Sequence, residues 1–206
     1  PAVVRGAGNL EKHIENLQKF GLPIVVAVNE FPTDTPAELA AVLEICGRHG
    51  VEAAISQVFG AGGKGGVAVA EKLLALMERT PSTYQPLYPL SAPLTEKVRI
   101  IAREIYGADD AVFTKEAEQS IEKLTSMGYG ELPICMAKTQ YSLSDDPSLL
   151  GRPQGFNVTV RQAKLSAGAG FVVMLTGEIM TMPGLPKLPA AEKIDIDNEG
   201  RISGLF

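Results

Sequence analysis

Leu22-Pro23-Ile24-Val25-Val26-Ala27-Val28 is the stretch that most restricts how this chain can fold. It is too short to span a membrane, and no polar residue interrupts it. Such a run predicts a strand covered on both faces, the kind found in parallel sheets with helical crossovers. The flanking residues agree. Asn9 can cap a helix with Leu10, Ile14 and Leu17 on one face, and Gly21 and Pro23 end it. After the strand, Thr35-Pro36-Ala37-Glu38 combines a cap, a proline at the first helical position and a glutamate able to close a capping box. Leu39, Val42, Leu43 and Cys46 make the buried stripe of that helix, which Gly47 or Gly50 stops. Val51 to Phe59 predicts a second strand, Gly60 to Gly66 a loop, and Val67 to Arg79 a helix with Val69, Leu73, Leu74 and Met77 inward. The expected class is α/β, a parallel sheet with helices on its faces.

The pattern changes after Thr80. Pro81, Pro86, Pro89 and Pro93 mark a connector, so the domains are expected at 1–85 and 86–206. Helices are predicted over Leu94 to Tyr106 and Thr114 to Met127. Strands are predicted over Pro133 to Thr139, Phe156 to Leu165 and Phe171 to Thr176, with a final hairpin turning at Asn198-Glu199-Gly200. The second part is therefore α+β. With 19 basic against 24 acidic residues, no surplus of positive charge points to nucleic acid. No apolar run reaches membrane length, and a cytoplasmic protein is expected. Cys46 and Cys135 are too far apart to share a metal, and each is expected as a reduced core residue. The chain opens on Pro1 without an initiator methionine and is expected to be cut from something longer.

Chemistry-bearing residues cluster where strands end. Asn29-Glu30-Phe31-Pro32-Thr33-Asp34 follows the first strand, at the edge where open α/β sheets bind ligands. Asn29 and Asp34 with an aromatic between them suit a flat, polar heterocycle; equally, Phe31 could pack on the next helix within an ordinary turn. Phe59 ends the second strand. If the strands are neighbours, Phe31 and Phe59 enter one crevice and can clamp a planar ring between them. Gly60-Ala61-Gly62-Gly63-Lys64-Gly65 matches G-x-G-x-x-G in strand–turn–helix context. It lacks the acidic ribose partner and is no Walker A loop, so a tight turn approaching neighbouring backbone is the simpler reading. Lys138 to Ser142 is rich in donors, Arg152 and Arg161 could pair with phosphate or carboxylate, and Asp145-Asp146-Pro147 reads as a turn start in preference to a metal site.

Five stretches, namely Asn9-Leu10-Glu11-Lys12-His13-Ile14-Glu15-Asn16, Ile105-Tyr106-Gly107-Ala108-Asp109, Leu132 to Gln140, Ser166 to Phe171 and Thr181-Met182-Pro183-Gly184-Leu185-Pro186, together with the closing Ile202 to Phe206, resemble formate–tetrahydrofolate ligases along essentially all 206 residues. The resemblance implies the C-terminal half of a P-loop-type parallel-sheet domain followed by a smaller α+β domain. It implies an ATP- and Mg-dependent enzyme that converts formate to formyl phosphate and passes the formyl group to tetrahydrofolate. The P-loop and its lysine lie in the family's N-terminal region, so no catalytic residue carries over and this chain alone is expected to be inactive. The pterin clamp does carry over, onto Phe31 and Phe59, with Pro32 and Ile55 lining the same pocket beside Asn29 and Asp34. Bacterial members often have tryptophan where this sequence has Phe59. Lys138, Arg152, Pro153, Pro183 and Gly184 are implied around the nucleotide base, with a homotetramer as the family's assembly. The alternative is a stand-alone module that holds folate or a protein partner without chemistry.

Overall fold

The computed structural model describes residues 2–177, 179 and 187–205. Helix α1 (Ala2–Gln18) leads into strand β1 (Val25–Asn29), helix α2 (Pro36–Arg48) and strand β2 (Glu52–Ser56). A short helix α3 (Val58–Ala61) and a tight 3-10 turn (Gly62–Gly66) then feed helix α4 (Val67–Arg79). β1 and β2 are parallel, with Val26 opposite Ala53 and Asn29 opposite Ser56. Ile14, Cys46 and Val51 form the core on one side of this pair, with Leu10, Val26, Val42 and Ala53 packed against it. The expected capping box is present: the Thr35 hydroxyl accepts from the Glu38 N–H and the Glu38 carboxylate accepts from the Thr35 N–H.

Two burial expectations fail here, and for α4 the reason is width. β1 is covered on one face only, with Ala27 and Asn29 exposed, and α4 leaves Leu73, Leu74 and Met77 exposed. Adjacent strands lie only about 4.8 Å apart, whereas a helix with its side chains is about 10 Å wide. A two-stranded sheet cannot cover both flanks of the helix lying on it. The first helix also begins earlier than expected: α1 runs through Asn9, and Leu17 is exposed while Ile14 is buried. Asn9 is not a cap. Its amide donates to the Gly151 carbonyl (2.9 Å) instead.

The proline-bearing connector is tied back to the end of α1. The Thr83 N–H donates to the Gly21 carbonyl and the Gln85 N–H to the Phe20 carbonyl. The Phe20 and Tyr84 rings stack with planes 7° apart. Gly21 lies at φ +66°, where a Cβ would come 2.4 Å from the Thr83 carbonyl oxygen, so only glycine serves.

Beyond it, α5 (Leu94–Ile101) continues as a widened turn to Tyr106, β3 (Asp110–Phe113) follows, and Thr114 caps α6 (Lys115–Leu124). β4 (Ile134–Ala137), β5 (Asn157–Ser166) and β6 (Phe171–Thr176) complete a sheet of order β3-β5-β6-β4. Its outer pairs are parallel and its central pair antiparallel, with a register shift at Arg161. Val98, Ala117, Val158, Val160, Val172 and Met174 form a second core. Lys97 is fully buried there, donating to the carbonyls of Gly130 and Leu132, both at 2.9 Å, and burial holds its ammonium below the usual range. Cys46 is buried as expected, but Cys135 is exposed, because Ile134 and Met136 take the inward positions of β4 and alternation turns Cys135 out. The closing hairpin pairs β7 (Asp195–Ile196) with β8 (Ile202–Ser203) around a turn in which Gly200 has φ +78°.

Candidate functional site

Two turns at the carboxyl ends of β1 and β2 build the site. Past Asn29 the Glu30 N–H still donates to the Ser56 carbonyl (2.9 Å), and then the chain reverses. The Asp34 carboxylate accepts from the Phe31 N–H (2.8 Å), and the Asp34 N–H donates to the Phe31 carbonyl (2.9 Å). Asp34 is thus spent on shaping the turn that presents Phe31, and the Thr35 cap follows at once. Past Ser56 the Gln57 carbonyl accepts from Gly60 and Ala61, while the Gln57 N–H donates to the Gly65 carbonyl (3.0 Å). A Cβ on Gly65 would stand 2.4 Å from the Gln57 carbonyl group. The glycine-rich segment is therefore folded back on Gln57, which is the tight-turn reading of its pattern.

These turns bring Phe31 and Phe59 together on one side. Their ring centroids are 5.2 Å apart with planes tilted by 50°. The two rings share one crevice, and at this distance no gap separates them. A guest between them needs two contact distances of roughly 3.5 Å each, so about 7 Å in all. Phe59 is 72% exposed even so.

The rings line a cavity of about 330 Å³ together with Glu30, Pro32, Gln57 and Gly60. That lies at the small end of ligand pockets and matches a bicyclic ring better than a whole nucleotide. Ile55 and Asp34 do not join it. They line a neighbouring depression over α2, with Pro36, Leu39 and Leu43. Asn29 is in neither lining and sits on the exposed face of β1. Glu30 and Gln57 line both depressions and are bonded to each other, the Gln57 amide donating to the Glu30 carboxylate at 2.7 Å. Sequence reasoning passed over this pair. The available signal was positional: each residue stands one place beyond a strand's carboxyl end.

The residues implied for the nucleotide are placed differently. The Lys138 ammonium donates to the carbonyls of Thr139 (2.8 Å), Ser142 and Ser144 (3.0 Å), and lies 5.2 Å from the Tyr106 ring centroid. An ammonium has three donors, and all three are used within its own loop. Burial pulls its pKa down and Asp145 partly restores it. Arg152 grips Glu15 through both nitrogens, at 2.8 and 2.7 Å, and this holds the Glu15 carboxyl below the usual range. Pro153 is half-buried beside it. Pro183 and Gly184 lie outside the described residues. Lys138 lines a larger, polar depression of about 870 Å³ with Asp145, Arg161 and Thr176, and a smaller one with His13, Tyr141 and Gly151. Arg152 is in neither, so the two cations do not converge.

Among the described residues no three His, Cys, Asp or Glu side chains gather to hold a metal. Asp146 accepts from the Ser148 N–H, a local turn across Pro147 as expected, whereas Asp145 accepts from the distant Thr159 N–H. Among those residues no helix is long and apolar enough to cross a membrane. The Phe31–Phe59 cavity is the feature with a definite chemical preference: apolar walls, an acid–amide pair and no lysine or arginine in its lining suit a flat, uncharged heterocycle. A family model described as formate--tetrahydrofolate ligase matches residues 1–206.

Proposed function

The chain belongs to the formate–tetrahydrofolate ligase family, and from that premise we propose that the Phe31–Phe59 cavity is the pterin pocket of an enzyme that forms 10-formyltetrahydrofolate. The overall reaction joins formate to N10 of tetrahydrofolate. ATP phosphorylates formate, because hydroxide is a poor leaving group, and N10 then attacks the formyl carbon and expels phosphate. This chain's share of that work is to hold the folate. Phe31 and Phe59 part and stack on the two faces of the pterin, and Pro32 closes the side of the slot.

The observation that supports this reading is the pairing of two exposed aromatic rings at the carboxyl ends of adjacent parallel strands. Each stack on such a ring contributes roughly 0.5–1.5 kcal/mol beyond area burial. The Mg2+ and ATP phosphates that the family uses find no matching donor set here. Among the described residues no acidic cluster gathers, Lys138 is saturated by carbonyls and Arg152 is neutralised by Glu15. The surroundings of Lys138 are therefore proposed as a wall for the nucleotide base, and no phosphate transfer step is routed through this chain's residues.

Calorimetric titration of tetrahydrofolate into the 206-residue chain tests the pocket. Phe31→Ala and Phe59→Ala should each weaken folate binding by about tenfold, equivalent to about 1.4 kcal/mol. Unchanged affinity in both variants would exclude the clamp.

A further inference from the structure

We propose that Glu30 is the specificity-determining residue of this pocket, its carboxylate reading the donor edge of the pterin, the ring N3–H together with the 2-amino group. The inference rests on the pterin-pocket reading and adds what the aromatic rings cannot supply. Stacking accepts any flat ring of suitable size, so two phenyl groups alone do not separate a pterin from an adenine. An edge contact must do so.

The structure places one acid where such a contact belongs. Glu30 is the first residue after β1, its backbone is fixed by the hydrogen bond to the Ser56 carbonyl, and it lines the aromatic cavity beside Gln57, to which its carboxylate is bonded. Among the described residues no lysine, arginine or histidine is paired with it. Among the described residues its one side-chain hydrogen-bond partner is the Gln57 amide, which occupies one acceptor position on Oε2. A carboxylate has about four such positions across two oxygens, so most remain for a ligand. The pterin edge offers two adjacent N–H donors pointing the same way, the pattern a carboxylate accepts in parallel, much as it accepts the fork of an arginine. Adenine offers one amino donor beside the N1 lone pair, so on the same carboxylate it would set lone pair against lone pair. An anionic phosphate would be repelled outright.

Gln57 is then a positioning residue, and the glycine-rich segment acts through it. Two turn hydrogen bonds to the Gln57 carbonyl, a third from its N–H to Gly65, and the close approach that only a glycine at 65 permits all fix the backbone from which the amide reaches Glu30.

The test compares tetrahydrofolate with its 2-deamino analogue by calorimetric titration of the 206-residue chain and of Glu30→Gln, Gln57→Ala and Phe59→Ala. The native chain should bind the analogue at least tenfold more weakly than tetrahydrofolate. In Glu30→Gln that ratio should collapse towards one, because tetrahydrofolate loses a paired contact through N3–H and the 2-amino group, whereas the analogue has only its N3–H contact to lose and weakens less. Gln57→Ala should lower the ratio part of the way, and Phe59→Ala should weaken both ligands and preserve the ratio. A ratio retained in Glu30→Gln, or an equal loss for both ligands, overturns the assignment of Glu30. Tetrahydrofolate that does not bind, or that binds Phe59→Ala undiminished, defeats the pterin pocket itself, a different failure.

Discussion

Tyr106 stands where the widened end of α5 meets the second core, with the Lys138 ammonium over its ring. Its phenol is pushed up to about 12, chiefly by burial and further by the nearby Cys135. The sign of the consequence is fixed. An unfolded tyrosine ionises near 10, so between there and about 12 the unfolded chain has released a proton that the folded chain keeps, and stability falls as pH rises through this window. A shift of about two units corresponds to roughly 2–3 kcal/mol. Urea melts at pH 9 and pH 11.5 should show the native chain losing more stability than Tyr106→Phe by about that amount. Equal losses would mean the phenol is wetter than the structure has it. Phe31 and Phe59 obey a different rule: they carry no polar atom to satisfy, and each ring rests against the other while staying exposed.

At the level of elements, the segment from Gln57 to Gly66 carries the sharpest test. Gly65→Ala places a methyl group 2.4 Å from backbone that cannot swing aside, so α3 and Phe59 must move. Folate affinity should fall about tenfold, and thermal unfolding should show a cost in the common range of roughly 1–3 kcal/mol. An alanine variant that binds and melts like the native chain would show the close approach to be dispensable. What could be read from sequence here was local. The Thr35 box, the final hairpin and the strand Phe171–Thr176 carry their signals within a few residues, and each is found where expected. β2 stops at Ser56, not Phe59, because Gly65 captures the Gln57 N–H from eight residues downstream. β3 has four residues and one fully buried side chain, too little for a period to show. The positions of the two aromatic rings were legible because they follow apolar strands within three residues; their contact was not, since ring–ring contact has no sequence signature. Likewise, Arg152 is engaged by Glu15 at a separation of 137 residues, which no motif could disclose.

Across the whole molecule, α1 is the strut between two cores. Along one helix, Asn9 donates to the Gly151 carbonyl, Lys12 to Glu104, Asn16 to Ile105, and Glu15 pairs with Arg152. Lys12 and Asn16 are both buried, and burial lowers the Lys12 pKa. The Asn16 side-chain oxygen has no partner among the described residues, so of this side chain only the amide nitrogen bonds across the seam. Native calorimetry should give one cooperative transition. The double variant Lys12→Ala with Asn16→Ala should separate it into two, the sheet of β3 to β6 melting last; one undivided peak would show that the apolar contacts suffice to couple the cores. The strut also sets a timetable for the nascent chain. Its acceptors at residues 104 and 151 leave the ribosome 92 and 142 residues after their donors. At about 5–20 residues per second, the longer wait is roughly 7–28 s. Until residues 104 and 105 are made the helix carries hydrated polar side chains with nothing to dock on, Asn9 and Glu15 wait longer still for residues 151 and 152, and the first core must begin to close without them.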